Sequence, residues 1–462
     1  MLIKGGTVVD EDGERQVDVV IRDGRVALLA LPGESPDGDP DTIDATGLYV
    51  LPGLIDPHTH FSLDTGSGRT ADDFTTGSGS AAAGGVTSYV NFAIQHPDQG
   101  FEQALDAVRR EAEGASLVDW SMHLNITRLD DGWESALERV VDGGVTSAKV
   151  YTTYKDTVFY VDDYTIHRLM ERSGDAGMLV QMHAENDDIL AGTRRELVAQ
   201  GLTSFAYHAA ARPAVAESEA VSRGLFFSRV TGSPIYFVHL SSPLSVDLVT
   251  EARQRGIAAI AETCPHFLCL DESVYAGRDA IRFLMTPPIR SAGMRTELWQ
   301  RVAKGEIHSV GSDHCGYSLE QRGAAEAEDF TRVSPGIPGV ETTLPLLYTF
   351  GVEAGLIRMA DLVRLLATGP ARIFGLYPRK GRLGQGADAD LVLFDPRARG
   401  RLRDEDLHSA AGFSPYAGLE LSGRVQTTIC RGRVVYDRGT VTGEPGWGRF
   451  IERTPFDATH LP

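Results

Sequence analysis

His58 and His60 stand two residues apart in the run Asp56-Pro57-His58-Thr59-His60. On a β-strand, side chains at i and i+2 leave the same face, so both imidazoles can reach one cation. Such a pair is a weak signal by itself, because a single histidine is most often a hydrogen-bonded structural residue. Here further ligand-type residues close other apolar runs: Lys149 in Ser147-Ala148-Lys149-Val150, then His183, His239 and Asp313. Four of the chain's thirteen histidines fall at such ends, beside an aspartate. Imidazole and carboxylate ligands without thiolate suit zinc, manganese, cobalt or iron(II), with zinc the default. One ion would use fewer ligands than this set offers. Two ions about 3.5–4 Å apart would use them all and clamp a water between them, which is hydrolytic chemistry. Lys149 is the odd member, since a metal ligand must be deprotonated. On the residues alone it reads either as half of a structural ion pair or as a functional group of unassigned role.

These residues need a scaffold that brings strand ends together. Eight strand candidates run through the middle of the chain: 49–60, 87–94, 119–127, 146–154, 178–185, 234–241, 258–266 and 307–314. Between them lie stretches with a period of 3.6 residues, such as 101–113, 216–230 and 246–255. Strands alternating with helices predict an α/β protein with a (β/α)8 barrel over 52–375, whose active site is built at the carboxyl ends of the strands. An open doubly wound sheet has the same count. The ends of the chain read differently. Short β-rich runs at 2–10, 17–22 and 26–31 are separated by Asp12-Gly13 and Asp23-Gly24, and similar runs recur at 390–394 and 425–436. We expect segments 1–51 and 376–462 to meet as one small β-sandwich. Gly77-x-Gly79-x-x-Ala82 resembles a dinucleotide fingerprint, but it follows a polar loop and not a strand, so it reads as a helix start. Residues 63–79 read as a loop and a candidate lid over the site.

A net charge of -20 over 462 residues argues against nucleic acid and anionic membrane as partners. The four cysteines, Cys264, Cys269, Cys315 and Cys430, form no C-x-x-C pair, so they suit a reducing compartment and not a zinc ribbon. No apolar run approaches the roughly 18 residues of a membrane span, and the first ten residues lack a signal-type apolar core, so the expected location is cytoplasmic.

The motifs LPGLIDPHTH (51–60), ADDFTTGSGSAAAGGVTS (71–88), VTSAKVYTTYK (145–155), HAEN (183–186), VHLSS (238–242), ETCPHFL (262–268), TPPIR (286–290), GSDHC (311–315) and GIPGVET (336–342) run nearly end to end. Together with GADADLVLFDP (386–396) they resemble the dihydropyrimidinase/hydantoinase branch of the amidohydrolase superfamily. The resemblance implies two divalent ions, zinc by default with manganese, cobalt or iron as alternatives, bridged by Lys149 as its N6-carboxylated form. It implies that His58, His60, Lys149 and Asp313 hold one ion, and Lys149, His183 and His239 the other. It further implies that Tyr154 hydrogen-bonds the substrate carbonyl and steadies the oxyanion. Asp313 would move a proton to the leaving ring nitrogen, and Thr286 and the segment Ser334, Pro335 and Gly336 would read the ring amide. The implied substrate is a small cyclic amide or imide, a hydantoin or 5,6-dihydropyrimidine opened to an N-carbamoyl amino acid. The implied assembly is a homo-oligomer, a tetramer or dimer.

Two departures bear on substrate range. Pro335 replaces the family's usual asparagine and removes a backbone donor, and residues 61–70 lack the usual Pro-Phe-Gly-Gly-type run. Among rival readings, dihydroorotase expects an arginine two residues after the histidine pair, where this chain has Ser62. Allantoinase fits Gly68-Arg69-Thr70. A non-enzymatic scaffold of the same fold would have lost ligand positions that are all filled here. His314 is a candidate to orient Asp313, His266 reads as structural, and Cys315 reads as a packing residue.

Overall fold

The structure, a computed structural model, describes residues 1–35, 41–65, 68–323 and 328–460. Eight parallel strands form its central sheet: β1 (Leu54–Thr59), β2 (Val86–Ile94), β3 (Asp119–Asn125), β4 (Ser147–Tyr151), β5 (Leu179–His183), β6 (Ile235–Phe237), β7 (Ala259–Thr263) and β8 (Ser309–Val310). They neighbour one another in chain order. A parallel bridge between Thr59 and His314 returns the last strand to the first, with the His60 N–H donating to His314 O at 2.9 Å. The sheet is a barrel and not the open alternative. All nine residues of β2 are buried, because the strand packs inward on side chains from its neighbours and outward on helices. The helices Phe101–Ala112, Ala214–Thr231 and Pro243–Gln254 stand within a few residues of their expected places.

One expected strand, 49–60, is two. Tyr49–Pro52 pairs with Leu391–Phe394 and with Thr7 and Val8 in a separate sheet, while β1 starts at Leu54. The chain changes sheets at Gly53, where a Cβ would lie 2.1 Å from Thr87 Oγ1 and 2.7 Å from Asp390 Cβ. Alternating polarity cannot show that break, since both halves are buried. The expected loop 63–79 is shorter than its sequence suggests. A helix, Phe74–Ala83, takes its second half, started by the Asp73 side chain accepting from the Thr75 and Thr76 amides. Gly77 and Gly79 of the apparent fingerprint lie inside this helix, with Gly77 against the Phe61 ring. Residues 66 and 67 of the candidate lid lie outside the described residues.

The terminal segments build two sheets. One has seven strands in the order Thr440–Val441, Arg433–Asp437, Glu420–Cys430, Leu391–Arg401, Tyr49–Pro52, Thr7–Asp10, Gly13–Gln16. The other has four, in the order Arg25–Ala30, Asp18–Arg22, Leu2–Lys4, Thr42–Asp44. Ile3, Val19, Val50, Leu391, Leu393 and Ile429 share one apolar cluster between them, which is the expected sandwich. Asp23 and Gly24 both take positive φ, 52° and 72°, as a tight hairpin between right-twisted strands requires.

Sandwich and barrel meet over a buried charge cluster. Lys380 Nζ lies 2.7 Å from Asp119 of β3, 2.7 Å from Asp390 and 3.3 Å from Asp388. Arg431 Nε adds a 3.0 Å contact to Asp119. Beyond it the C-terminal segment runs along the barrel, the Ile451 N–H donating to Trp120 O at 2.7 Å and Arg453 to Ser121 and Ser147 at 3.0 and 2.8 Å. Removing one partner from such a buried cluster leaves uncompensated charge. Lys380→Met is therefore expected to lower the unfolding free energy by about 3–5 kcal/mol in denaturant titration. A variant with an unchanged midpoint would show that this cluster does not join the two units.

Candidate metal centre and active site

Each ligand-type residue reaches the barrel mouth from the end of its strand. His58 belongs to β1 and His60 follows it by one residue. Lys149 is central in β4, His183 ends β5, His239 follows β6 by two residues, and Asp313 follows β8 by three. His58 Nε2 and His60 Nε2 lie 3.1 and 3.2 Å from the same oxygen, Asp313 Oδ1. The donor atoms of these three residues all fall within 4.8 Å of one another. The His183 and His239 rings are centred 4.5 Å apart, and the His239 ring is 5.4 Å from that of His58. Lys149 Nζ lies 3.0 Å from His58 Nε2, over the Phe92 ring at 4.2 Å. The structure thus brings all six residues to one place.

The electrostatics there suit a cation. Burial pushes the His60 pKa down to about 3 and the His239 pKa well down as well, so both rings are neutral at pH 7. Burial also lowers Lys149, to about 8, against the pull of Asp313 and Glu262. For Asp313 burial acts upward, but His58 and His60 outweigh it and hold the carboxyl well below its ordinary range. The Nδ1 atoms of His60 and His239 are buried without a hydrogen-bond partner. With its Nδ1–H given to Glu262 at 2.8 Å, a neutral His58 turns a bare Nε2 towards Asp313 Oδ1 at 3.1 Å, lone pair facing lone pair, an arrangement that a divalent ion relieves. The residues present therefore fit divalent metal. A second acidic group, Asp119, Asp388 and Asp390, also has the spacing for an ion. Its centre is taken by the Lys380 ammonium, so it is a salt-bridge cluster.

A cavity of about 230 Å³ opens over the site, with His60, Lys149, His183, His239 and Asp313 in its lining. Tyr154, Thr286, Ser334, Pro335 and Gly336 line it too. The Tyr154 hydroxyl and Thr286 Oγ1 share a 2.5 Å hydrogen bond. Leu63, Phe159, Met285 and Tyr317 make an apolar part of the wall. His58 does not line the cavity and lies wholly buried behind it. Cys315 lines it without forming a disulfide. His266 is buried away from the cavity lining, with neither ring nitrogen bonded. Three non-glycine residues at the mouth take left-handed backbone: Tyr154 (φ 72), His239 (φ 42) and Asp313 (φ 49). Strain of this kind persists only where the surroundings over-determine it.

The sequence reading did not anticipate the residues that hold these ligands. Glu262 Oε1 accepts from His58 Nδ1 at 2.8 Å and from the His239 N–H at 2.9 Å. Asp56 Oδ1 accepts from the His58 and Ser312 amides at 3.0 and 3.1 Å, tying β1 to the chain just after β8. Glu185 accepts from His183 Nε2 at 2.8 Å and is gripped by Arg212. Only their place inside the motifs ETCPHFL, LIDPHTH and HAEN marked them. His314 does not orient Asp313. Its Nε2 bonds Asp72 at 2.9 Å and its Nδ1 accepts from the Gly339 and Val340 amides, which turns the ring away from the site.

A closed (β/α)8 barrel with imidazole, carboxylate and lysine groups converging at its mouth defines the class of barrel metallohydrolases. The amidohydrolase family pattern matches residues 49–435, and the chain belongs to that family, in its dihydropyrimidinase/hydantoinase branch. It is 38% identical to the D-phenylhydantoinase of Escherichia coli K12 over 458 residues, 99% of this chain and 98% of that protein. The dihydropyrimidinase of Brevibacillus agri superposes with a TM-score of 0.95 at 34% identity, over 99% of both chains. The D-hydantoinase of Bacillus sp. AR9 does so with a TM-score of 0.95 at 37% identity, again over 99% of both.

Gly336, in the cavity wall, holds φ 140, and a Cβ there would meet Cys315 O at 2.5 Å. Gly336→Ala should cost about 1–3 kcal/mol of stability, read by thermal unfolding. A variant as stable as the parent would contradict the tight packing of this segment on Cys315.

Proposed function

We propose that this chain is a metal-dependent cyclic amidase that opens a hydantoin or 5,6-dihydropyrimidine ring to an N-carbamoyl amino acid. The observation that carries the reading is the convergence of His58, His60 and Asp313 around one point, with Lys149 Nζ 3.0 Å from His58 and paired with no carboxylate among the described residues. In this reading His58, His60, Lys149 and Asp313 hold one divalent ion, and Lys149, His183 and His239 the other, with Lys149 carbamylated and zinc the default metal. Such ions, when bound, lower the pKa of water and polarise a carbonyl. Asp313, held ionised, takes up the proton of the attacking water and delivers it to the leaving ring nitrogen. Tyr154 donates its hydroxyl to the developing oxyanion, its orientation fixed by Thr286. Pro335 has no N–H, and the Gly336 N–H already donates to Leu284 O at 2.9 Å. Ser334 and the carbonyl oxygens of this segment therefore remain to read the ring amide.

The wall also separates the rival substrates. Among the described cavity-lining residues Lys149 is the only lysine and there is no arginine. Once Lys149 is a carbamate, no side-chain cation is left in that lining for a substrate carboxylate. Leu63, Phe159, Met285 and Tyr317 suit an uncharged substituent. We place the protein in a reducing compartment, consistent with four free, buried cysteines. Among the described residues no helix is long and apolar enough to cross a membrane.

A turnover panel of dihydrouracil, hydantoin, a 5-aryl hydantoin, allantoin and dihydroorotate tests the reading. Hydantoin or dihydrouracil should be hydrolysed and dihydroorotate should be poor; dihydroorotate as the best substrate would refute it. Tyr154→Phe should lower kcat by about tenfold or more while bound metal stays constant. Unchanged turnover would make the tyrosine part of the wall alone. Carbamylation needs the neutral amine, and Lys149 is protonated below a pKa of about 8. Metal loading should therefore rise with added bicarbonate and as pH climbs from 6.5 towards 8.5. Loading indifferent to both would argue against the carbamate.

A further inference from the structure

The two histidine groups differ in the carboxylate behind each. Glu262, which is fully buried, accepts from His58 Nδ1 and the His239 amide through one oxygen and from the Tyr236 hydroxyl at 2.6 Å through the other. Among the described residues no lysine or arginine forms a salt bridge with it; its ion-pair contact is His58 itself. Glu185, equally buried, accepts from His183 Nε2, but Arg212 grips it, Nε lying 3.1 Å from Oε1 and Nη2 bonding Oε2. Fixed positive charge thus neutralises the carboxylate behind His183 and not the one behind His58. Donor count points the same way. His58, His60 and Asp313 supply three converging donors, whereas His183 and His239 supply two and need Lys149 for a third. In a poorly screened pocket an unneutralised carboxylate draws a cation strongly, and a carboxylate behind an imidazole raises its basicity as a ligand.

We propose that the two metal positions fill in order. The position of His58, His60 and Asp313 binds first and more tightly. Glu262 is the positioning residue that sets this preference, and Arg212 keeps the position of His183 and His239 weak. This rests on the reading that these six residues hold two ions.

Cobalt(II) is the probe. Metal-stripped full-length protein is titrated with it in bicarbonate buffer against a competing chelator. Bound metal per chain is counted by elemental mass spectrometry, and coordination is followed by visible absorption. Wild type should fill in two steps separated by about tenfold or more. Glu262→Gln keeps an acceptor for His58 and His239 but drops the charge, so the tight step should weaken by about 10–100-fold and the two steps should draw together. Arg212→Gln leaves Glu185 unneutralised, and the weak step should tighten by about tenfold. Arg212→Lys keeps the charge and should leave that step in place, which separates charge from packing should the glutamine variant fold poorly. Equal weakening of both steps in Glu262→Gln, or no tightening in Arg212→Gln, would overturn the proposal. So would Arg212→Lys behaving like Arg212→Gln. Two ions taken up in a single step would refute the order alone, while saturation below two ions per chain would refute the two-ion reading beneath it.

Discussion

Lys149 Nζ and His58 Nε2 lie 3.0 Å apart at the floor of a pocket where burial opposes charge on every group. Around them, His60 and Asp313 point further polar atoms at the same spot. A protein interior resists such a gathering, because unpaired polar atoms and like-signed lone pairs are costly away from water. The cluster holds only because the scaffold gives its members no alternative. Parallel strands in chain order bring their carboxyl ends to one mouth, and the buried carboxylates Glu262, Glu185 and Asp56 fix the histidines and the strand ends from behind. The left-handed backbone at His239 and Asp313 is part of the same constraint: the chain is bent so that these side chains enter the pocket. A divalent cation converts the conflict into coordination, which links the fold directly to metal chemistry.

In the proposed reading, the wall above the cluster determines which ring is read. Its recognition elements are few: the Tyr154–Thr286 hydrogen bond, the segment from Ser334 to Gly336, and an apolar side bounded by Leu63, Phe159 and Met285. Pro335 narrows the backbone's vocabulary by one donor, and Gly336 has its own donor engaged.

Much of this was legible in the sequence because the signals were periodic or local. Six of the nine residues of β2 are apolar, and the pair His58 and His60 follows from strand geometry alone. What stayed hidden depended on contacts far apart in the chain. Glu262 meets His58 across 204 residues and looks like any other glutamate in a strand. Gly53 gives no sign that the chain changes sheets there, since its reason is the nearness of Thr87 and Asp390. His314 adjoins Asp313 in sequence, yet tertiary packing commits its ring to Asp72. The helix at 74–83 reads in the sequence only as a start near Gly77, because its glycines lower helix propensity, yet it begins at Phe74, and Gly77 sits against Phe61.

Diffraction at the zinc absorption edge, from crystals grown with zinc and bicarbonate, tests the central claim most directly. The account predicts two anomalous peaks about 3.5–4 Å apart. One lies among His58, His60 and Asp313, the other lies against His183 and His239, and between them density shows three extra atoms on Lys149 Nζ. A bare lysine side chain beside two fully occupied metal peaks in an active crystal would contradict it.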